Sequence, residues 1–142
     1  MKILFVCTGN TCRSVMAEYY TRSKLDDLGI SGITVSSAGV ATIDGMPASQ
    51  GALAVLEEIG IDASAHVSRL LTGEIAAEAD KIYALARNHL EILGLNFISV
   101  KDKVELLADK SVPDPIGLTL EEYRDSLDMI ISAVDKHILS KL

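Results

Sequence analysis

At 142 residues the chain is sized for one hydrophobic core, so a single domain over residues 1–142 is expected. Apolar residues make up 49% of it, enough to fill that core, and the net charge of -7 argues against a nucleic-acid surface, which needs clustered cations. Its two cysteines, Cys7 and Cys12, lie close together with no others to staple distant parts, which excludes a secreted disulfide framework and points to a reducing cytoplasm.

Ile3 to Val6 is a continuous apolar run, partly β-branched, and predicts a strand buried on both faces; it is too short for a signal peptide or a membrane span. Ser14 to Leu28 is rich in helix formers and closes at Gly29-Ile30, where glycine takes the left-handed cap and the apolar residue folds back. Ile33 to Ala38 suggests a second strand, and Ala48 to Ile59 a second helix closed by Gly60-Ile61. Lys81 to Ala86 fits a third strand, followed by a helix from about Asn88. Asn96 to Val100 reads equally as helix end or strand, and Val104 to Leu107 as a short strand. Thr119 with Glu122 has the spacing of a capping box, and Leu120, Tyr123, Leu127, Ile130, Val134 and Ile138 form the apolar stripe of a last helix. Strands alternating with helices predict an α/β fold: a three-layer, doubly wound sheet of about four parallel strands with helices on both faces. Ligands of such sheets bind beyond the carboxyl ends of the strands, which directs attention to the end of the first strand.

There the sequence runs Cys7-Thr8-Gly9-Asn10-Thr11-Cys12-Arg13-Ser14, from a strand end to a helix mouth. Gly9 permits a sharp path, and Asn10 tolerates left-handed dihedrals while hydrogen-bonding within the loop. Backbone N–H groups converging in such a loop, the helix dipole and the planar fork of Arg13 together make a site for a dianion. The same field favours a thiolate at Cys7, so its pKa is expected to fall below the ordinary ~8.5, and Ser14 can donate to the sulfur. A nucleotide-binding phosphate loop fits poorly, because the Gly-Lys-Ser/Thr ending is missing.

The run Lys2 to Ser14, continued by Met16-Ala17-Glu18, resembles the low-molecular-weight protein tyrosine phosphatase family, whose nucleophile loop reads Cys, five residues, Arg, Ser. Ser37-Ala38-Gly39, Gly60-Ile61, His66, Ala79-Asp80 and Asp114-Pro115 extend the resemblance along the chain. It implies that Cys7 is the nucleophile, that Arg13 and the loop residues Thr8, Gly9, Asn10, Thr11, Cys12 and Ser14 bind the phosphoryl group, and that Asp114 is the proton donor. It further implies a supporting network of Asn10, Ser37 and His66, and permits a protective disulfide between Cys7 and Cys12. No His/Cys cluster has ligand spacing, so no metal or cofactor is expected. The expected partner is a phosphorylated protein, with no nucleic acid or membrane involved and the chain a monomer.

Two residues bear on which phosphoryl group is taken. Thr11 resembles the phosphoarginine-directed members, where tyrosine-directed members often carry a larger aliphatic residue. Ile116-Gly117 follows Asp114-Pro115 where tyrosine-directed members commonly have aromatics, and the arginine-directed ones carry an aromatic there too. Val15 also departs, from a usual proline. Phosphoarginine is the expected substrate and phosphotyrosine the alternative. An arsenate reductase would need further cysteines around Ile75 to Leu95, which has none, and a non-catalytic phosphoresidue-binding module would have no need of Cys7 or Asp114.

Overall fold

The computed structural model describes residues 1–142. Its centre is strand β1 (Lys2–Cys7), which hydrogen-bonds in parallel to β2 (Thr34–Gly39) on one side and β3 (Lys81–Ala84) on the other. Strand β4 (Val104–Leu106) completes the sheet in the order β2-β1-β3-β4, all parallel. The chain between strands is helical: α1 (Arg13–Asp27), α2 (Gln50–Glu58), α3 (Gly73–Glu78), α4 (Arg87–Asn96) and, after the sheet, α5 (Leu120–His137). No helix is long and apolar enough to cross a membrane.

Side chains of β1 alternate between faces, and so divide the core in two. Ile3, Phe5 and Cys7 point to the face covered by α1, α2 and α5, where they meet Val15, Met16, Leu56, Leu127 and Ile130. Leu4 and Val6 point to the other face and pack with Ile82, Ala84, Ala76 and Leu93 beneath α3 and α4. This is the three-layer α/β arrangement read from the sequence. Because β2 and β3 flank β1, the loops leaving β1 and β3 diverge to opposite faces, and a crevice opens between their carboxyl ends.

The helix stops behave as their glycines dictate. Gly29 and Gly60 have φ of 67° and 80°, and the next residue donates back five positions, Ile30 N to Leu25 O and Ile61 N to Leu56 O, both at 2.9 Å. Helix α3 is an addition that sequence periodicity does not reveal, and Asn96 to Val100 resolves as the end of α4 leading into a 3-10 turn over Ile98–Lys103. At the start of α5, Thr119 Oγ1 accepts from the Glu122 N–H at 3.3 Å, but the Glu122 carboxylate takes the Thr119 hydroxyl rather than its N–H, so only half of a capping box forms.

Candidate active site

Cys7 ends β1 on its α1-facing side, and Arg13 opens α1, so the loop between them is closed by the sheet and the helix together. Asn10 stands at its apex with φ of 56°, the one non-glycine residue with positive φ. Its side chain holds that strained turn with three bonds: Nδ2 donates to Ser14 Oγ and Ser37 Oγ, each at 2.8 Å, and Oδ1 accepts from Arg69 N at 3.0 Å. His66 Nε2 lies 2.8 Å from the Asn10 carbonyl, so Asn10, Ser37 and His66 stand in one network. Gly39 lets the sheet approach: a Cβ there would lie 2.6 Å from the Thr8 carbonyl oxygen.

Behind Ser37 the network runs to a residue that sequence patterning does not mark. Ser37 Oγ donates to Glu18 Oε1 at 2.5 Å, and Glu18, buried on α1, is paired with Arg22 at 2.9 Å. An acid inside a helix reads as a solvated face; here the sheet edge swallows it. The Arg69 side chain, also unmarked, donates to Ser37 O at 2.9 Å.

Ser14 Oγ, which accepts from Asn10, is left with its own proton for Cys7 Sγ, 2.9 Å away. Cys7 is buried, and burial is the largest influence on it, pushing the thiol up from its ordinary value. The Ser14 hydroxyl, the Ser14 N–H, the Arg13 charge and the Asn10 N–H pull it down. The expectation that this loop simply lowers the thiol thus left out desolvation, which opposes every charged form.

Arg13 is buried, with Nη1 donating to the Val112 carbonyl at 3.0 Å and Nη2 standing 3.4 Å from Thr8 Oγ1 and 3.6 Å from Asp114 Oδ2. The Asp114 carboxylate is half exposed, and its Oδ1 accepts from the Ile116 N–H at 3.1 Å, the turn that the flanking prolines favour. Cys7 to Arg13, Asn10 apart, line a pocket of about 150 Å3 with Asp114 and Ile116 as its outer rim. No aromatic ring lines it, and Ile116 is its only bulky aliphatic side chain.

Cys12 Sγ lies 3.1 Å from Ser49 Oγ and 3.4 Å from the Tyr123 hydroxyl, and both cysteines are free thiols. Gly51 on α2 makes room for the Tyr123 ring, with which any Cβ would collide. Burial, with the Cys12 contact, pushes the Tyr123 phenol up to about 12. His89, in the first turn of α4, brings Nε2 within 2.8 Å of Thr8 Oγ1; no local pattern marks it, because its partner lies 81 positions away. No group of three or more His, Cys, Asp or Glu side chains is placed to hold a metal ion.

The family model described as low molecular weight phosphotyrosine protein phosphatase matches residues 2–142. The protein-arginine-phosphatase of Geobacillus stearothermophilus is 38% identical over 141 residues, covering 95% of this chain and 92% of that one. A low molecular weight protein tyrosine phosphatase from T. tengcongensis superposes with a TM-score of 0.94 at 38% identity, covering 100% of this chain and 99% of that one. A Cys-to-Ser mutant of the YwlE arginine phosphatase, solved with a phosphorylated active-site serine, superposes with a TM-score of 0.89 at 32% identity, covering 98% and 99%.

Proposed function

The chain belongs to the low molecular weight protein tyrosine phosphatase family and is a protein phosphatase; on that premise we propose that it releases phosphate from protein phosphoarginine through a phosphorylated Cys7. The Cys7 thiolate attacks phosphorus in line as the P–N bond to the guanidine breaks. Arg13 and the loop N–H groups hold the three equatorial oxygens, on which negative charge is spread in the transition state. Asp114 gives its proton to the departing nitrogen. Asp114, now a carboxylate, takes a proton from water as that water attacks the Cys7 phosphate; the S–P bond breaks, and phosphate leaves with the thiolate restored. Each step uses the chain's own groups and water. A reduced Cys7 is needed throughout, and a reducing cytoplasm is the compartment that would keep it so.

The observation that carries the phosphoarginine reading is the ring-free wall of the pocket, whose lining includes both the Thr11 side chain and the Asp114 carboxylate. A guanidinium is planar, cationic and weakly apolar, so it gains from a carboxylate and a hydroxyl. A phenyl ring gains from aromatic or broad apolar walls, and only Ile116 offers one. That Ile116 side chain is what supports phosphotyrosine as the second reading. The test compares phosphate release from phosphoarginine and phosphotyrosine peptides by wild type, Thr11→Ile, Cys7→Ser and Asp114→Asn. The wild type is expected to favour phosphoarginine and Thr11→Ile to move toward phosphotyrosine. Cys7→Ser should abolish turnover, and Asp114→Asn should lower it by about 10²–10⁴-fold. A severalfold preference of the wild type for phosphotyrosine would end the arginine assignment.

A further inference from the structure

His89 is wholly buried, yet its ring nitrogen Nδ1 meets no partner, while Nε2 lies 2.8 Å from the Thr8 hydroxyl. Thr8 Oγ1 is also 3.4 Å from Arg13 Nη2, a group that can only donate. Two arrangements satisfy these distances. In the first, the Thr8 hydroxyl gives its proton to Nε2, and the ring proton sits on Nδ1, an N–H buried without an acceptor. In the second, Nε2 carries the ring proton and donates to Thr8, and Nδ1 keeps only a lone pair. Orphaned buried N–H groups are rarer and costlier than under-used acceptors, so the second arrangement is favoured.

Its consequence lies in the pocket. Both lone pairs of Thr8 Oγ1 are then occupied, one by His89 and one by Arg13, and its own proton has no partner within the protein. Thr8 stands in the pocket wall beside Cys7, Arg13 and Asp114. We propose that the Thr8 hydroxyl is a side-chain donor to a phosphoryl oxygen, beside Arg13, and that His89 is the positioning residue that frees and aims its proton. The inference rests on the pocket being the phosphoryl site. The sheet topology explains why these residues meet: Thr8 follows β1 and His89 follows β3, so both stand at the crevice where the loops diverge. A buried ring beside the Arg13 cation remains neutral, its pKa lowered to about 4 by desolvation first and Arg13 second, against a smaller opposing pull from Asp114.

The experiment measures vanadate affinity and kcat/KM on a phosphopeptide for Thr8→Val, Thr8→Ser, His89→Leu, His89→Gln and the double variant Thr8→Val/His89→Leu. One hydrogen bond to a charged group corresponds to about 10–100-fold, and Thr8→Val and His89→Leu should each lose about that in both readouts. Thr8→Ser keeps the hydroxyl, and His89→Gln supplies an N–H at the Nε2 position, so both should recover most of the loss. The double variant should be no worse than Thr8→Val alone. Losses within twofold for Thr8→Val, or additive losses in the double variant, overturn the proposal. Should His89→Leu fail to fold, 15N chemical shifts of the wild-type ring decide: protonation at Nε2 supports the proposal and protonation at Nδ1 overturns it. If the wild type binds vanadate but releases no phosphate from any peptide, the phosphatase reading falls while the vanadate series still decides the Thr8 hydroxyl. Absence of vanadate binding by the wild type overturns both.

Discussion

Ser14 sits where one hydroxyl opposes the effect of burial on a sulfur. Asn10 donates to Ser14 Oγ, and the Ser14 hydroxyl stands 2.9 Å from Cys7 Sγ, where donating its proton stabilises the anion against the burial that disfavours it. Ser14→Ala removes a contribution that lowers the thiol and leaves the one that raises it, so Cys7 should titrate at higher pH. The acid limb of kcat/KM and the rate of iodoacetate alkylation should shift upward together, each pKa unit reducing the thiolate fraction about tenfold below the new value. Coincident profiles for variant and wild type would show that Ser14 holds the loop without tuning the sulfur. At Cys12 the opposing hydroxyls come from Ser49 and Tyr123, and Gly51 gives that ring its place. Gly51→Ala should displace the ring and free the Cys12 thiol. Peroxide should then convert Cys7 and Cys12 to their disulfide faster than in wild type, as read by non-reducing mass analysis.

Among the elements, β2 approaches the phosphate loop closely enough that Gly39 has no substitute. A methyl there meets the Thr8 carbonyl at 2.6 Å, and backbone on both sides leaves little to yield. Gly39→Ala should cost about 1–3 kcal/mol in chemical denaturation and reduce turnover more than its stability loss explains, because the displaced atoms belong to the pocket. Much at this scale was readable in advance. β1 announced itself by an unbroken apolar run, α1 and α2 by Gly-Ile stops, and the loop from Cys7 to Ser14 by its spacing. Helix α3 was not readable, since six residues complete too few turns to display a period. The 3-10 turn over Ile98–Lys103 has no apolar period either. Arg69 and His89 are hidden for a different reason, and Glu18, which the resemblance includes, carries no local sign of its burial. Each is polar on a segment that looks solvated, and each side chain is held by a partner distant in sequence: Glu18 by the Ser37 hydroxyl, Arg69 by the Ser37 carbonyl, and His89 by Thr8. Local pattern reports which face is apolar, but a buried polar residue is defined by what it bonds to.

For the molecule as a whole, the buried neutral His89 links proton uptake to folding. Its folded pKa of about 4 lies below the ordinary 6.5, so between those values the unfolded chain binds more protons. Stability from this residue is full above about pH 6.5, falls as pH drops toward 4, and amounts to up to about 3 kcal/mol. Urea midpoints of wild type and His89→Gln should therefore converge as the pH is lowered from 7 to 4.5. A constant difference across that range would show that the histidine is not buried neutral.

The loop that holds Cys7 is tied by bonds arriving from Ser37, Ser49, His66, Arg69, His89 and Val112, and Tyr123 of α5 closes on Cys12 behind it. Very little of that cage is local. A chain still folding, with α5 undocked, has a cysteine but no site, so reactivity switches on late and all at once. Iodoacetate labelling followed during refolding should rise to its native rate only as the final cooperative phase completes.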